Sequence, residues 1–101
     1  IGAVIINSSS LIGKNCNLSA GVTIGQTNRG DKKGSPTIGD RVWFGPNAVV
    51  VGGVTIGEDV LIAPGTFVNF DVPAHSIVIG NPGKIIPAAE ATAGYIENIL
   101  A

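Results

Sequence analysis

An aliphatic or aromatic residue recurs at every sixth position along most of the chain: Ile6, Ile12, Leu18 and Ile24, then Ile38, Phe44, Val50, Ile56, Ile62 and Val68. Four residues after each lies a smaller side chain, in the series Ser10, Cys16, Val22, Val42, Ala48, Val54, Val60, Thr66 and Val72. Small and large residues thus fall two apart, as in Val22-Thr23-Ile24 and Val54-Thr55-Ile56, which is the side-chain period of a β-strand. Each hexapeptide predicts one short strand with both of these residues facing inward. A helix fits poorly, because a 3.6-residue period cannot hold a strict spacing of six. Gly13, Gly25, Gly39, Gly45 and Gly57 follow the large residue, and the expectation is that a corner there uses backbone angles closed to other residues.

Three such units make a triangular coil of 18 residues, so side chains one coil apart stack on the same face. The predicted stacks are Ile6, Ile24, Val50 and Val68; Ile12, Ile38 and Ile56; and Leu18, Phe44 and Ile62. Coils should lie about 4.8 Å apart. The interval from Ile24 to Ile38 is eight residues too long, so residues 26–37 must loop out of the coil. Residues 1–86 are read as the coil and 87–101 as a tail. Asn81-Pro82-Gly83 reads as a turn, and Ala88 to Leu100 as a short helix with Tyr95, Ile96, Ile99 and Leu100 on its apolar face. Such a helix would cover an open end of the prism or pack on a neighbour.

Composition narrows the class. With 101 residues, 45% of them hydrophobic, the chain has room for one domain and a sizeable core. It contains no methionine and starts in apolar sequence, so it reads as part of a longer polypeptide. A formal net charge of -1 and 13% charged residues give no basis for a nucleic-acid surface. The single Cys16 cannot form an internal disulfide, and its inward position suits a buried thiol acting as a small hydrophobe. Without a signal peptide or an apolar run of about 18 residues, no membrane is expected and the cytoplasm is the expected compartment. Trp43 and Phe67 precede inward positions and so point outward, where large aromatic side chains mark a subunit interface.

The pattern of an aliphatic residue, Gly, two variable residues and a small residue resembles the hexapeptide-repeat acyltransferase family. More closely, residues 2–86 are similar to the catalytic β-helix of serine acetyltransferases. The anchors are Gly21-Val22-Thr23-Ile24-Gly25, the polar loop, Pro36-Thr37-Ile38-Gly39-Asp40, Asp71-Val72-Pro73-Ala74-His75 and Gly80-Asn81-Pro82-Gly83-Lys84. Val42-Trp43-Phe44-Gly45-Pro46 is also similar to sugar acetyltransferases. The resemblance implies an all-β, left-handed parallel β-helix, a hand that periodicity alone does not supply since parallel crossovers are normally right-handed. It implies a homotrimer with sites between subunits, and acetyl transfer from acetyl-CoA to a hydroxyl or amine of a small molecule, with a His as general base.

The family's catalytic His falls one or two residues before Ile1, so no catalytic residue is expected within the chain. The family's serine-holding Arg and His align with Gly34 and Ser35. Serine's carboxylate therefore loses a charged grip. Asn28 and Ser35 are the acceptor-side candidates. For CoA, Ser19-Ala20-Gly21, Gly45-Pro46-Asn47 and Ala63-Pro64-Gly65 share one corner, where small residues permit close approach of the pantetheine arm. Gly45, Pro46, Ala63 and Pro64 are the candidates there, although the two prolines offer no N–H. Lys84 and Arg29 are the phosphate candidates, set against solvated surface cations. His75 is the sole histidine and lies far from the expected catalytic corner. One histidine also cannot supply the three metal ligands of a γ-carbonic anhydrase, which shares this fold. Two other readings stay open: a non-catalytic trimerisation or capping module, and the β-helix of a sugar nucleotidyltransferase, whose Gly-rich domain is not in this sequence.

Overall fold

The computed structural model describes residues 3–27, 30 and 33–93. The first coil contains β1 (Ile5–Ile6), β2 (Leu11–Ile12) and β3 (Asn17–Leu18), and the second β4 (Thr23–Gly25), β5 (Thr37–Ile38) and β6 (Val42–Phe44). A third coil follows with β7 (Val49–Val51), β8 (Thr55–Ile56) and β9 (Val60–Ile62). The last has β10 (Phe67–Val68) and β11 (Ser76–Ile79), and β12 (Lys84–Pro87) folds back on β11. Three faces result, in the orders β1-β4-β7-β10, β2-β5-β8 and β3-β6-β9-β11-β12. All pairs are parallel except β11 with β12. The coil is left-handed.

The register reproduces the three stacks: Ile6 on Ile24 on Val50 on Val68, Ile12 on Ile38 on Ile56, and Leu18 on Phe44 on Ile62. Most of these columns and the small inward residues between them, Val22, Val42, Ala48, Val54, Val60 and Thr66, are fully buried. Trp43 and Phe67 point outward as expected, each half-buried beside buried inward neighbours.

Three details depart from the sequence reading. The glycines that follow the large residues have ordinary φ. The left-handed angles fall elsewhere: at Asn15, Arg41, Asp59 and His75 on one corner, and at Gly21, Asn47 and Gly65 on another. Close stacking of the coils accounts for most of those glycines instead. A Cβ on Gly39 would lie 2.9 Å from the carbonyl carbon of Gly57, and one on Gly57 would lie 2.5 Å from the nitrogen of Ala74. Second, Val72 is not the small residue of its own repeat. It bridges to Ile56, and Val78 sits on Ile62, so the last coil is two residues short and Val72 extends the column of large residues. Third, residues 88–93 form turns and not the start of a helix; Tyr95, Ile96, Ile99 and Leu100 lie outside the described residues.

The two ends differ. At the C-terminal end Phe70 packs against the core, and the Asn81-Pro82-Gly83 turn, with a cis Asn81–Pro82 bond, closes over Phe70 and Val78. Ala88 N–H donates to the His75 carbonyl at 2.8 Å, and from that phase Ile85 and Pro87 point their backbone groups to the open edge of β12. Pro87 has no N–H, so the edge is blunted. At the other end Val4, Ile5, Ile6 and Leu11 are exposed.

Candidate functional site

The third corner of the prism, residues 19–21, 45–47, 63–65 and 79–81, carries the donor candidates. In three coils it is a four-residue turn: Val22 N–H donates to Ser19, Ala48 to Gly45 and Thr66 to Ala63, at 3.2–3.4 Å. Positive φ at the third residue (Gly21 at 78°, Asn47 at 62°, Gly65 at 69°) gives the type II pattern, which accepts proline at the second residue. Pro46 and Pro64 therefore fit a structural demand, and their missing N–H groups leave no ladder bond unmade. The third residue's N–H runs along the prism axis to the preceding coil, from Asn47 to the Ala20 carbonyl at 3.0 Å and from Gly65 to Pro46 at 2.9 Å. What remains on the surface is a smooth column of Ala20, Pro46 and Pro64, with Gly45 buried behind and Ala63 half-buried. Lys84 is exposed and pairs with Ile79 at the C-terminal end of this corner, the only cation on it among the described residues.

The acceptor candidate Ser35 lies on a different edge. Between Gly25 and Thr37 the chain leaves the coil at the first corner, which holds 7–9 and 51–53. Thr27 and Gly34 close the base of the loop with reciprocal bonds of 3.0 and 2.9 Å. The returning strand rests on Gly53, where a Cβ would collide with the Lys33 carbonyl. Ser35 donates its hydroxyl to Oδ1 of Asn7 at 2.8 Å, and the same oxygen accepts Ser9 N–H at 2.9 Å. Asn7 thus fixes Ser35, a role that no spacing in the sequence announces. Asn28 and Arg29 lie outside the described residues. The first face, crossed by β4, separates Ser35 from the column at Pro46 and Pro64, so among the described residues a single chain does not bring Ser35 to the donor candidates.

The second corner carries a cluster that the sequence did not reveal. Asp59, 4% exposed, accepts His75 Nδ1–H at 2.7 Å, Ala91 N–H at 3.0 Å, Thr92 N–H at 3.0 Å and the Thr92 hydroxyl at 2.6 Å. Glu58 lies 3.5 Å from Arg41 and 3.9 Å from His75 Nε2. Burial by itself would raise the Asp59 pKa. Hydrogen bonds from the Thr92 and His75 side chains and from the Thr92 and Ala91 amides outweigh it and hold the carboxyl well below the usual carboxylate range. Its contribution to stability is thus complete above the unfolded-state value of 3.8 and drains away as pH falls below that. Acid titration of the wild type should show a loss of stability setting in below about pH 4 that is blunted in Asp59→Asn. Equal acid profiles would contradict this account. His75 serves this latch and stands on a corner away from the donor column. Cys16 lies 3.2 Å from the Gly39 carbonyl, and burial pushes its thiol pKa up, as expected of an inert inward cysteine. Among the described residues no group of three or more His, Cys, Asp or Glu could hold a metal ion.

A family model for the bacterial transferase hexapeptide (six repeats) matches residues 35–69, and one for the hexapeptide repeat of succinyl-transferase matches residues 3–26. The serine acetyltransferase of Bacillus subtilis is 39% identical over 83 residues, 82% of this chain and 38% of that protein. The Neisseria gonorrhoeae serine acetyltransferase solved with serine superposes with a TM-score of 0.74 at 35% identity, over 82% of this chain and 34% of that one. The Brucella abortus serine acetyltransferase solved with coenzyme A gives 0.77 at 28% identity, over 84% and 34%. The chain spans 23% of the length of serine acetyltransferase 4 of Arabidopsis thaliana and 40% of that of the Mycobacterium tuberculosis serine acetyltransferase.

Proposed function

Because the chain belongs to the hexapeptide-repeat acyltransferase family, on its serine-acetyltransferase-like branch, we propose that it forms the donor-binding part of an acetyl-CoA-dependent O- or N-acetyltransferase. The observation that carries this reading is the third corner. Ala20, Pro46 and Pro64 make a narrow column without projecting side chains, along which a pantetheine arm can lie in van der Waals contact, and Lys84 stands at its end for the phosphates. The arm must take hydrogen bonds from groups other than Pro46 and Pro64. Relatives solved with serine or with coenzyme A support the reading.

In the reaction a base removes the proton of an acceptor hydroxyl or amine, the freed oxygen or nitrogen attacks the thioester carbonyl, and CoA leaves as its thiol. The base that the resemblance implies is a His one or two residues before Ile1, and His75 is committed to Asp59 on another corner. The donor column and the Ser35 loop lie on separate edges of one prism, which supports a homotrimer in which the loop of one copy faces the donor column of the next, with Trp43 and Phe67 buried between copies. The acceptor is a small-molecule hydroxyl or amine, and the compartment is the cytoplasm.

Calorimetry with CoA tests the donor site directly. A saturable heat with Kd below about 1 mM is expected. No heat at millimolar CoA, with the oligomer intact by light scattering, would discard the donor site and leave a trimerisation module.

A further inference from the structure

We infer that Asp59 is a positioning residue for Lys84: by latching residues 91 and 92 to the second corner, it anchors the strand that carries Lys84 to the donor column. The inference rests on the donor reading above. Lys84 opens β12, and all four residues of that strand are exposed, so packing does little to hold it. It is an edge strand with one neighbour, β11. Beyond its ladder with β11, the strand is tied down at its two ends. At the Lys84 end, Gly83 donates to the Phe67 carbonyl at 3.1 Å and lies against Val78 and Phe70. At the other end the chain passes through the Ala88 bond to His75 and reaches Asp59, where Ala91 and Thr92 are buried at 7% and 6% exposure.

Asp59 is the main fixed point of that second end. Its carboxylate gathers two backbone amides, a hydroxyl and an imidazole N–H, four donors from two segments that, beyond the β11–β12 ladder, are joined by the backbone bond of Ala88 to His75. Both Asp59 and His75 hold left-handed backbone angles, φ 53° and 57°, as their place in the corner requires. β12 crosses the third face from corner to corner, about 13 Å for four residues. Releasing the latch leaves β12 held by its pairing with β11, by the Gly80–Gly83 turn and, at the Pro87 end, by the single Ala88 bond to His75. The strand then frays, and the ammonium of Lys84 samples positions away from the column. A charge-assisted hydrogen bond from Lys84 to a phosphate needs a fixed donor position, so this loss falls on the phosphate contact and spares the apolar contact along Pro46 and Pro64.

Salt dependence of CoA binding separates the two contributions. In the full chain, Lys84→Ala and Asp59→Asn should each weaken CoA by about fivefold at about 0.05 M salt, and by no more than about twofold at about 0.5 M, where the ionic contact is screened. The double variant should bind no more weakly than Lys84→Ala alone, because the two changes remove one contact. If Asp59→Asn does not fold by circular dichroism, Thr92→Val, which removes a single donor, should reproduce the same salt pattern at about half the size. A loss in Asp59→Asn that is equal at both salts, or that multiplies with that of Lys84→Ala, would show a purely structural role and overturn the inference. Binding of CoA that is unaffected by Lys84→Ala also overturns it while leaving the donor site intact. Absence of CoA binding in the wild type overturns the donor reading itself.

Discussion

Phe44→Ala should cost about 4 kcal/mol of folding stability, the largest loss expected from any single truncation in the core. Phe44 is the largest of the fully buried side chains and sits in the middle of its column, with Leu18 on one side and Ile62 on the other. Its neighbours are parts of hydrogen-bonded strands and cannot collapse into the space, so the cavity stays open and its cost adds to the lost burial. Urea unfolding measures this as a fall in midpoint at unchanged slope. Phe44→Leu keeps most of the volume and should lose less than about 1.5 kcal/mol. Similar losses from both variants would mean that Phe44 is not the filler of that column.

Gly45→Ala should cost about 3 kcal/mol, at the upper end for overpacking, and should also abolish CoA binding at the third corner. The added Cβ would lie 2.5 Å from the nitrogen of Pro64, 2.7 Å from its Cδ and 2.8 Å from its Cα. None of these atoms can swing aside: all three belong to the Pro64 ring, and two of them also to a backbone tied by Gly65 N–H to the Pro46 carbonyl. The coils must separate locally, which breaks the column of Ala20, Pro46 and Pro64 on which the arm lies. Gly25→Ala is the comparison, since its Cβ would meet only the Val51 Cγ1 at 3.7 Å, an ordinary contact. It should be close to neutral in stability. If Gly45→Ala binds CoA as the wild type does, the donor does not use this corner.

The candidate site was legible in part. The corner that groups Gly45, Pro46, Ala63 and Pro64 follows from counting residues, because equal spacing puts equal positions of successive coils side by side. Ser35 was legible as a position but not as a contact. Its bond to Asn7 joins residues 28 apart in the chain across the excursion, and nothing local marks it. The corner glycines were assigned to the right places for a reason that holds at none of Gly13, Gly25, Gly39, Gly45 and Gly57. Composition cannot tell a residue chosen for its φ from one chosen because the next coil passes within van der Waals contact.

Much of the fold lay in the order of the residues alone: strands of period two, hexapeptides of period six and the three columns. These are local consequences of side-chain direction along an extended chain, and they survive whatever the coil packs against. The tertiary structure alone decided the two-residue slip that moves Val72 under Ile56, the antiparallel return of β12 and the separation of Ser35 from the donor column onto different edges. It also placed Asp59 under Thr92, 33 residues away. Each of these depends on which surfaces meet when the coil closes on itself. A carboxylate becomes a latch only where buried donors converge on it, and that convergence has no period to read.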